Sequence, residues 1–308
     1  MKQRFDVIVL GGGPAGLSAG IYLGRGRLKT LIVDTGTIGG QTVFSYSVAN
    51  YPGVEETAGM AISRIMLNQA KHFGCKVISQ AEISSLELGT KEKTVVVEDE
   101  GTFLTRAIIV ATGGIPRTLG LESENRFKGK GISYCATCDG DFFTNKPIVA
   151  IGGGNSALEE ALALTQFASK VTVVHEFDHF QAQPWVVSEA EANPKIDFLM
   201  EQDILDFEGD EKLERVIVTH KKTGERTVIH ADGCFIFIGY VPNTSEFRDL
   251  LELTDSGEII VDEDMRTGVP GVFAAGDVRS KRYRQITTAV ADGTIAALSA
   301  AEYIQHRE

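Results

Sequence analysis

The sequence predicts an α/β protein built from two dinucleotide-binding units, the second inserted into the first. Two observations carry that expectation. A strand–glycine loop–helix–strand pattern occurs twice, with its loop beginning at Gly11 and again at Gly152. After the second copy the chain runs through further apolar, strand-like stretches and closes in a long helical pattern, which predicts a return to the first unit. Between the copies lies Cys135-Ala136-Thr137-Cys138, the stretch that carries the chemistry.

The 308 residues suffice for two domains with cores of their own. The 33 glycines belong to loops rather than to low complexity, because 43% of the residues are still hydrophobic. With 42 acids against 30 bases the net charge is -12, which disfavours nucleic acid or an anionic membrane as partner. The apolar run at residues 7–10 follows Asp6 and is too short for a signal-peptide core. No apolar span long enough to cross a membrane follows it. A cytoplasmic, reducing location is expected, where a Cys-x-x-Cys is more often catalytic than structural.

Residues 5–10 read as a buried parallel strand, and Gly11-Gly12-Gly13-Pro14-Ala15-Gly16 turns it into a helix ending near Gly24. Glycines allow the tight turn and the close backbone approach to a pyrophosphate seated on the helix N-terminus. The next strand, Leu31-Ile32-Val33, ends in Asp34, placed to accept a hydrogen bond from a ribose hydroxyl. Loops are expected at Gly39-Gly40-Gln41-Thr42 and Asn50-Tyr51-Pro52-Gly53, a helix over about 58–73, and short strands near 77–78 and 94–98. A buried strand at 107–111 ends in Thr112-Gly113, where a cofactor or chain can pass closely, and Pro116 marks a linker. The pattern then repeats: strand 148–151, a Gly152-Gly153-Gly154-Asn155-Ser156-Ala157 loop, a helix, and strand 171–174. An ungapped overlay of Gly11 on Gly152 places Asp34 opposite His175 and Thr35 opposite Glu176. A strand-rich meander is expected over 197–231, a buried strand at 234–239, a return linker at 240–243, and a strand at 272–275 leading to Gly276 and Asp277. The last helix covers about 285–305. The expected domains are therefore 1–115 with 245–308, and 116–244.

Two cysteines three apart can close a small disulfide, one thiolate attacking and the other resolving. Asp139 follows at once and can give or take a proton. The competing reading is half of a structural zinc site, but Cys75 and Cys234 are isolated and form no second pair. No metal is expected.

On these residues the chain resembles the low-molecular-weight, bacterial-type thioredoxin reductases over essentially its whole length. The matching motifs are residues 11–16, 39–41, 135–140, 152–157, Gly276-Asp277 and Tyr283-Arg284-Gln285. The resemblance implies the FAD/NAD-linked disulfide reductase fold of two Rossmann-like domains. It also implies a homodimer, non-covalent FAD in the first unit and a thioredoxin-like protein as substrate. By resemblance, Gly11, Gly13 and Gly16 hold the pyrophosphate, with Pro14 and Ala15 as cofactor-binding positions of the same loop, and Asp34 faces the adenosine ribose. Gln41 and Asn50 line the isoalloxazine, and Gly40, Thr112 and Gly113 are further cofactor-binding positions. Asp277 holds the ribityl or pyrophosphate region, with Gly276 beside it as a cofactor-binding position, and Arg284, Gln285 and Ile286 approach the ring edge. Cys138 faces the flavin, Cys135 attacks the partner disulfide, and Asp139 manages the proton.

One stretch departs from the family. Its typical members read the 2'-phosphate of NADPH with His-Arg-Arg-x-x-x-Arg after the second strand of the inserted unit. Here the same stretch is His175-Glu176-Phe177-Asp178-His179-Phe180-Gln181, with Glu176, Phe177 and Gln181 at the arginine positions. None offers a charged bidentate fork, and Glu176 and Asp178 repel a phosphate. Losing charge-assisted bonds of about 1.5–3 kcal/mol each weakens NADPH by orders of magnitude. Gly152, Gly154 and Ser156 still keep a nucleotide-shaped, if degenerate, site. Two donor readings stay open. Glu176 takes the ribose hydroxyl of NADH, although it lies one residue past the ideal position. Alternatively no pyridine nucleotide binds, and a donor such as ferredoxin supplies the electrons. The second is the expectation, with Gln183-Pro184-Trp185 interrupting a stretch that is normally helical in the family. A flavin-dependent oxidase of small dithiols is a further alternative, since it shares FAD and the Cys-x-x-Cys. A flavin-binding sensor without turnover is opposed by the retention of Cys135, Cys138 and Asp139.

Overall fold

A computed structural model of the chain describes residues 2–45 and 48–306. It divides into two compact units, Met1–Ile115 with Val241–Glu308, and Pro116–Tyr240. The first unit begins with β1 (Lys2–Leu10), α1 (Pro14–Arg25), β2 (Thr30–Val33), α2 (Gly59–His72) and β3 (Lys76–Ile78). It continues through β4 (Ile83–Glu87), β5 (Lys93–Val97) and β6 (Gly101–Val110) to a connecting strand, β7 (Gly114–Pro116). The second unit runs α3 (Glu122–Phe127), β8 (Ile132–Ser133), α4 (Ala136–Asp139), β9 (Pro147–Ile151), α5 (Asn155–Leu164) and β10 (Lys170–Val174). There follow α6 (Pro184–Ala192), β11 (Ile196–Leu199), β12 (Gln202–Glu208), β13 (Arg215–His220), β14 (Arg226–His230) and β15 (Gly233–Ile236). The return strand β16 (Tyr240–Pro242) pairs with β7, and β17 (Val272–Ala274) and α7 (Ile286–Gln305) close the chain. The return crosses at residue 241, ahead of the expected 245, because Asn243 already bonds to Thr112 and Gly113 of the first unit.

The first unit's sheet has the order β3-β2-β1-β6-β5-β4, with β17 also on β6. β3, β2, β1, β6 and β17 are parallel, and β5 and β4 form an antiparallel extension. Both faces are covered: Val7 and Val9 enter one core cluster, Ile8 and Leu10 the other. A strand buried on both sides shows a continuous apolar run rather than alternation, as residues 7–10 do. The second unit repeats this in a smaller parallel sheet, β11-β10-β9-β15-β8, with Ile148 and Ala150 on one face and Val149 and Ile151 on the other. The meander β12-β13-β14 forms its own antiparallel sheet.

Register brings the loops together. Leu10 pairs with Val33 and Val110, and Val110 with Ala274, so Gly11, Asp34, Thr112 and Gly276 emerge at one edge of the sheet. In the second unit Ile151 pairs with Val174 and Ile236, which places Gly152 and His175 at the matching edge. Ser133 pairs with Phe235, so the chain enters the Cys-x-x-Cys from that same end. Ligands of open parallel sheets bind outside these carboxyl ends.

β4 and α3 are elements that the sequence pattern does not announce. Of the loop expected over 39–42, residues 40–42 lie in a single 3₁₀ turn (Gly40–Phe44) after the left-handed Gly39. Among the described residues, no helix is long and apolar enough to cross a membrane.

Candidate active site

The first glycine loop is shaped by contacts that only glycine permits. Gly11 has φ +109°, and a Cβ there would lie 2.2 Å from the Ala111 carbonyl oxygen. At Gly16 a Cβ would lie 1.9 Å from the Gly11 oxygen, so helix and loop close directly on each other. At Gly13, by contrast, a Cβ would meet only the Gly40 Cα, 3.9 Å away. That opening faces the start of α1, which has Pro14 in its first turn and no side-chain cap on its N–H groups. Open backbone donors at a helix N-terminus suit a pyrophosphate.

Asp34 holds this loop in place. One carboxylate oxygen accepts from the Gly12 N–H and the other from the Gly36 N–H at 2.7 Å. Across the unit, Asn50 Nδ2 donates to Gln285 Oε1 at 3.4 Å, joining two residues expected at a ring. Gln285 also caps α7 reciprocally with Thr288, which fixes the entry of that helix. Ile286 packs against the core. Arg284 pairs with Glu258, and Gln41 is exposed at the 3₁₀ turn. Thr112 and Asn243 exchange hydrogen bonds of 2.8 and 2.9 Å beside Gly113, which is left-handed at φ +60°.

A charge network under Asp277 is absent from the sequence reading. Asp292 on α7 is nearly buried and receives Arg279 through two nitrogens, at 2.8 and 2.9 Å. Lys281 Nζ lies 2.8 Å from Asp292 and 3.5 Å from Asp277 Oδ1. That Asp277 oxygen is buried without a hydrogen bond, and burial pushes the carboxyl above its usual range despite Lys281 and Arg284. A buried acceptor still to be satisfied, an uncapped helix start and an open glycine cradle together fit a flavin dinucleotide in this unit.

In the second unit Cys135 and Cys138 form a disulfide, with Cα atoms 5.3 Å apart. Cys135 caps the short α4, its sulfur accepting the Cys138 N–H at 3.2 Å. Both cysteines are half-buried. Asp139 is half-buried too; burial raises its pKa, the Ser133 hydroxyl bond opposes that rise, and Asp141 adds to it. Tyr134 anchors the same stretch, donating at 2.6 Å to Glu124, a buried acid that also accepts the Leu119 and Gly120 N–H groups. The other two thiols are buried, and burial pushes Cys75 up to about 11 and Cys234 higher still, so neither is a ready nucleophile. Among the described residues, no group of three His, Cys, Asp or Glu side chains is arranged to hold a metal.

The second glycine loop keeps the backbone of the first. Gly152 is left-handed at φ +136°, and a Cβ at Gly154 would meet nothing. Ser156 lies exposed in the first turn of α5, which also lacks a side-chain cap. The surroundings differ. His175 packs its ring where a Cβ on Gly153 would lie only 2.4 Å away. It stacks on Phe180 and donates from Nε2 to the His179 carbonyl at 3.1 Å. Gln181 bonds through its backbone to Gly153, and Asn155 Oδ1 accepts the Gln183 N–H. Glu176 pairs with Lys221 at 3.3 Å, and the Lys221 ammonium lies over the Phe177 ring. Lys221 also meets Asp203, and Lys222 meets Glu201, so the nearby lysines are committed to acids.

Residues 5–293 match the family model described as pyridine nucleotide-disulphide oxidoreductase. The chain is similar to a thioredoxin reductase of Peptoclostridium acidaminophilum, 41% identical over 312 residues that cover 99% of this chain and 98% of the relative. It is also 41% identical to a thioredoxin reductase of Listeria monocytogenes, covering 99% and 95% of the two. The structure superposes on the thioredoxin reductase of Streptococcus pyogenes MGAS5005 with a TM-score of 0.94 and 38% identity, covering 98% and 99% of the chains. With two glycine loops, a flavin-shaped cradle and a Cys-x-x-Cys disulfide, the chain belongs to the FAD-dependent pyridine nucleotide-disulphide oxidoreductases, in their thioredoxin reductase group.

Proposed function

We propose that this enzyme reduces a thioredoxin-like protein with electrons from a donor that is neither NADPH nor NADH, such as ferredoxin or another protein donor. The observation that carries this reading is the stretch after β10. Glu176, Phe177 and Gln181 stand at the three phosphate-reading positions, and the Glu176 carboxylate is already paired with Lys221. Lys221 and Lys222, the lysines beside this stretch, are already paired with acids, so neither stands ready for a dianionic phosphate. A ribose hydroxyl would have to compete with Lys221 for Glu176.

Bound FAD supplies a centre that accepts electrons and passes two of them to a disulfide. Gly11, Gly13, Pro14, Ala15 and Gly16 would hold its pyrophosphate, and Asp34 its ribose. Gly40, Gln41, Asn50, Thr112, Gly113, Gly276, Asp277, Arg284, Gln285 and Ile286 would surround the remainder. Cys138 is the sulfur assigned to the electron-receiving side and Cys135 the attacking one. The Cys138 N–H directed at the Cys135 sulfur favours a thiolate once the pair is reduced. Cys135 thiolate bonds to one sulfur of the partner disulfide, and the sulfur it displaces leaves as a thiolate. Cys138 then bonds to Cys135, releasing the second partner sulfur. Asp139 carries protons between the enzyme thiols and the leaving sulfurs. The working assembly is read as a homodimer, to be checked by sedimentation.

The test is anaerobic titration of the FAD-loaded enzyme with NADPH, NADH and reduced ferredoxin while flavin absorbance is followed. Bleaching by ferredoxin alone is expected. Rapid bleaching by NADPH would sink the reading of Glu176, Phe177 and Gln181; bleaching by NADH alone would assign Glu176 to the ribose.

A further inference from the structure

We infer that Ser133 is a positioning residue for the exchange chemistry, its hydroxyl tying the Asp139 carboxyl to the backbone of Cys135. This rests on the reading that Asp139 carries the proton. Ser133 ends β8 and is 7% exposed. Its Oγ donates to Asp139 Oδ2 at 2.6 Å and accepts the Cys135 N–H at 3.1 Å. A hydroxyl has one proton. The Cys135 carbonyl, 3.4 Å from the same Oγ, is the weaker acceptor, so the proton goes to the carboxylate. The Asp139 N–H in turn donates to the Cys135 carbonyl at 3.2 Å. Acid and attacking cysteine thus form one hydrogen-bonded unit in which Ser133 is the side-chain link among the described residues.

That link has an electrostatic consequence. A donor on the ionised carboxylate favours ionisation, whereas burial and Asp141 oppose it. The titratable residues of α5, which packs against α4, are Glu159, exposed, and Glu160, half-buried. The charged group that acts on Asp139 is Asp141, which opposes ionisation as burial does. Removing the Ser133 hydroxyl therefore raises the Asp139 pKa. If Asp139 must be protonated to serve the leaving thiolate, the alkaline fall in rate moves to higher pH.

The experiment uses FAD-loaded, dithionite-reduced enzyme mixed with oxidised thioredoxin in a single turnover, with the rate followed against pH. Ser133→Ala should move the alkaline limb up by roughly one pH unit, the size expected for losing one bond to a charged group. Ser133→Thr, which keeps the hydroxyl, should restore the wild-type profile. Flavin content and the melting temperature report whether each variant is folded. A limb that stays in place in Ser133→Ala, or no recovery in Ser133→Thr, overturns the inference. Asp139→Asn separates the two levels. If it abolishes the limb while Ser133→Ala leaves it unmoved, the inference about Ser133 alone fails. If the limb survives in Asp139→Asn, the proton role of Asp139 fails and the inference with it.

Discussion

Gly11 and Gly152 are both left-handed, at φ +109° and +136°, and each precedes a helix whose first turn lacks a side-chain cap. Gly13 and Gly154 both leave space where a Cβ would sit. The loops differ in what the next strand delivers. After β2, Asp34 supports the loop through the Gly12 N–H and its own following turn through the Gly36 N–H. After β10, a histidine ring packs on the loop, and the following glutamate is paired with a lysine. A shared backbone solution therefore does not imply a shared ligand. The loop creates space and donors for a phosphate, and the residues after the second strand decide which nucleotide can use them.

Rebuilding the family's arginines tests this most severely. Glu176→Arg, Phe177→Arg and Gln181→Arg together should turn NADPH into a reductant, with about tenfold in affinity for each fork that reaches the phosphate. Unchanged flavin bleaching by NADPH in a folded triple variant would show that the specificity lies elsewhere in the second unit. The next effect is steric. Gly16→Ala drives a methyl into a backbone oxygen, and a loss of about 3 kcal/mol or more with loss of bound flavin is expected. Ala157→Gly, at the equivalent position of the second loop, should cost about 1–2 kcal/mol and leave flavin content intact. Equal flavin retention in the two variants would break the asymmetry between the loops.

Asp34→Ala should lower stability by about 1–3 kcal/mol in denaturant unfolding, because the Gly12 N–H of the loop and the Gly36 N–H of the following turn lose their acceptor. Glu176→Ala removes only an exposed pairing with Lys221 and should leave the unfolding curve unchanged. A comparable loss in both would mean that the second loop is braced as strongly as the first. The smallest effect concerns pH. Burial holds the His175 pKa below its ordinary value, so the folded form resists protonation while the unfolded chain does not. Stability from this group is complete above the unfolded value of about 6.5, falls as pH drops through it, and levels off below the folded value. A His175→Gln variant should show a flatter melting temperature against acid pH; an identical slope would remove the histidine from the account.

The glycine loops were legible because φ above zero and close backbone contacts leave one residue type at Gly11 and Gly152. Asp34 was legible because it follows a short buried strand at a fixed distance from its loop. Other contributors were not. Lys281 and Asp292 approach Asp277 only because α7 packs on α1, where a Cβ at Gly293 would lie 2.0 Å from the Ala15 oxygen. Glu124 reads as one surface acid among many, until α3 buries it against Tyr134.

By itself the sequence determined the two nucleotide-type loops, the redox cysteines and the absent arginines, because each depends on a residue type at a short, fixed spacing. Only the tertiary structure decided which groups surround them. Ser133 reaches Asp139, His175 packs on Gly153, and Lys221 neutralises Glu176. The last two depend on strand register and on chain reversals that carry no local signature. Ser133 lies close to Asp139 in sequence, yet the turn from β8 into α4 is what points its hydroxyl at the carboxylate.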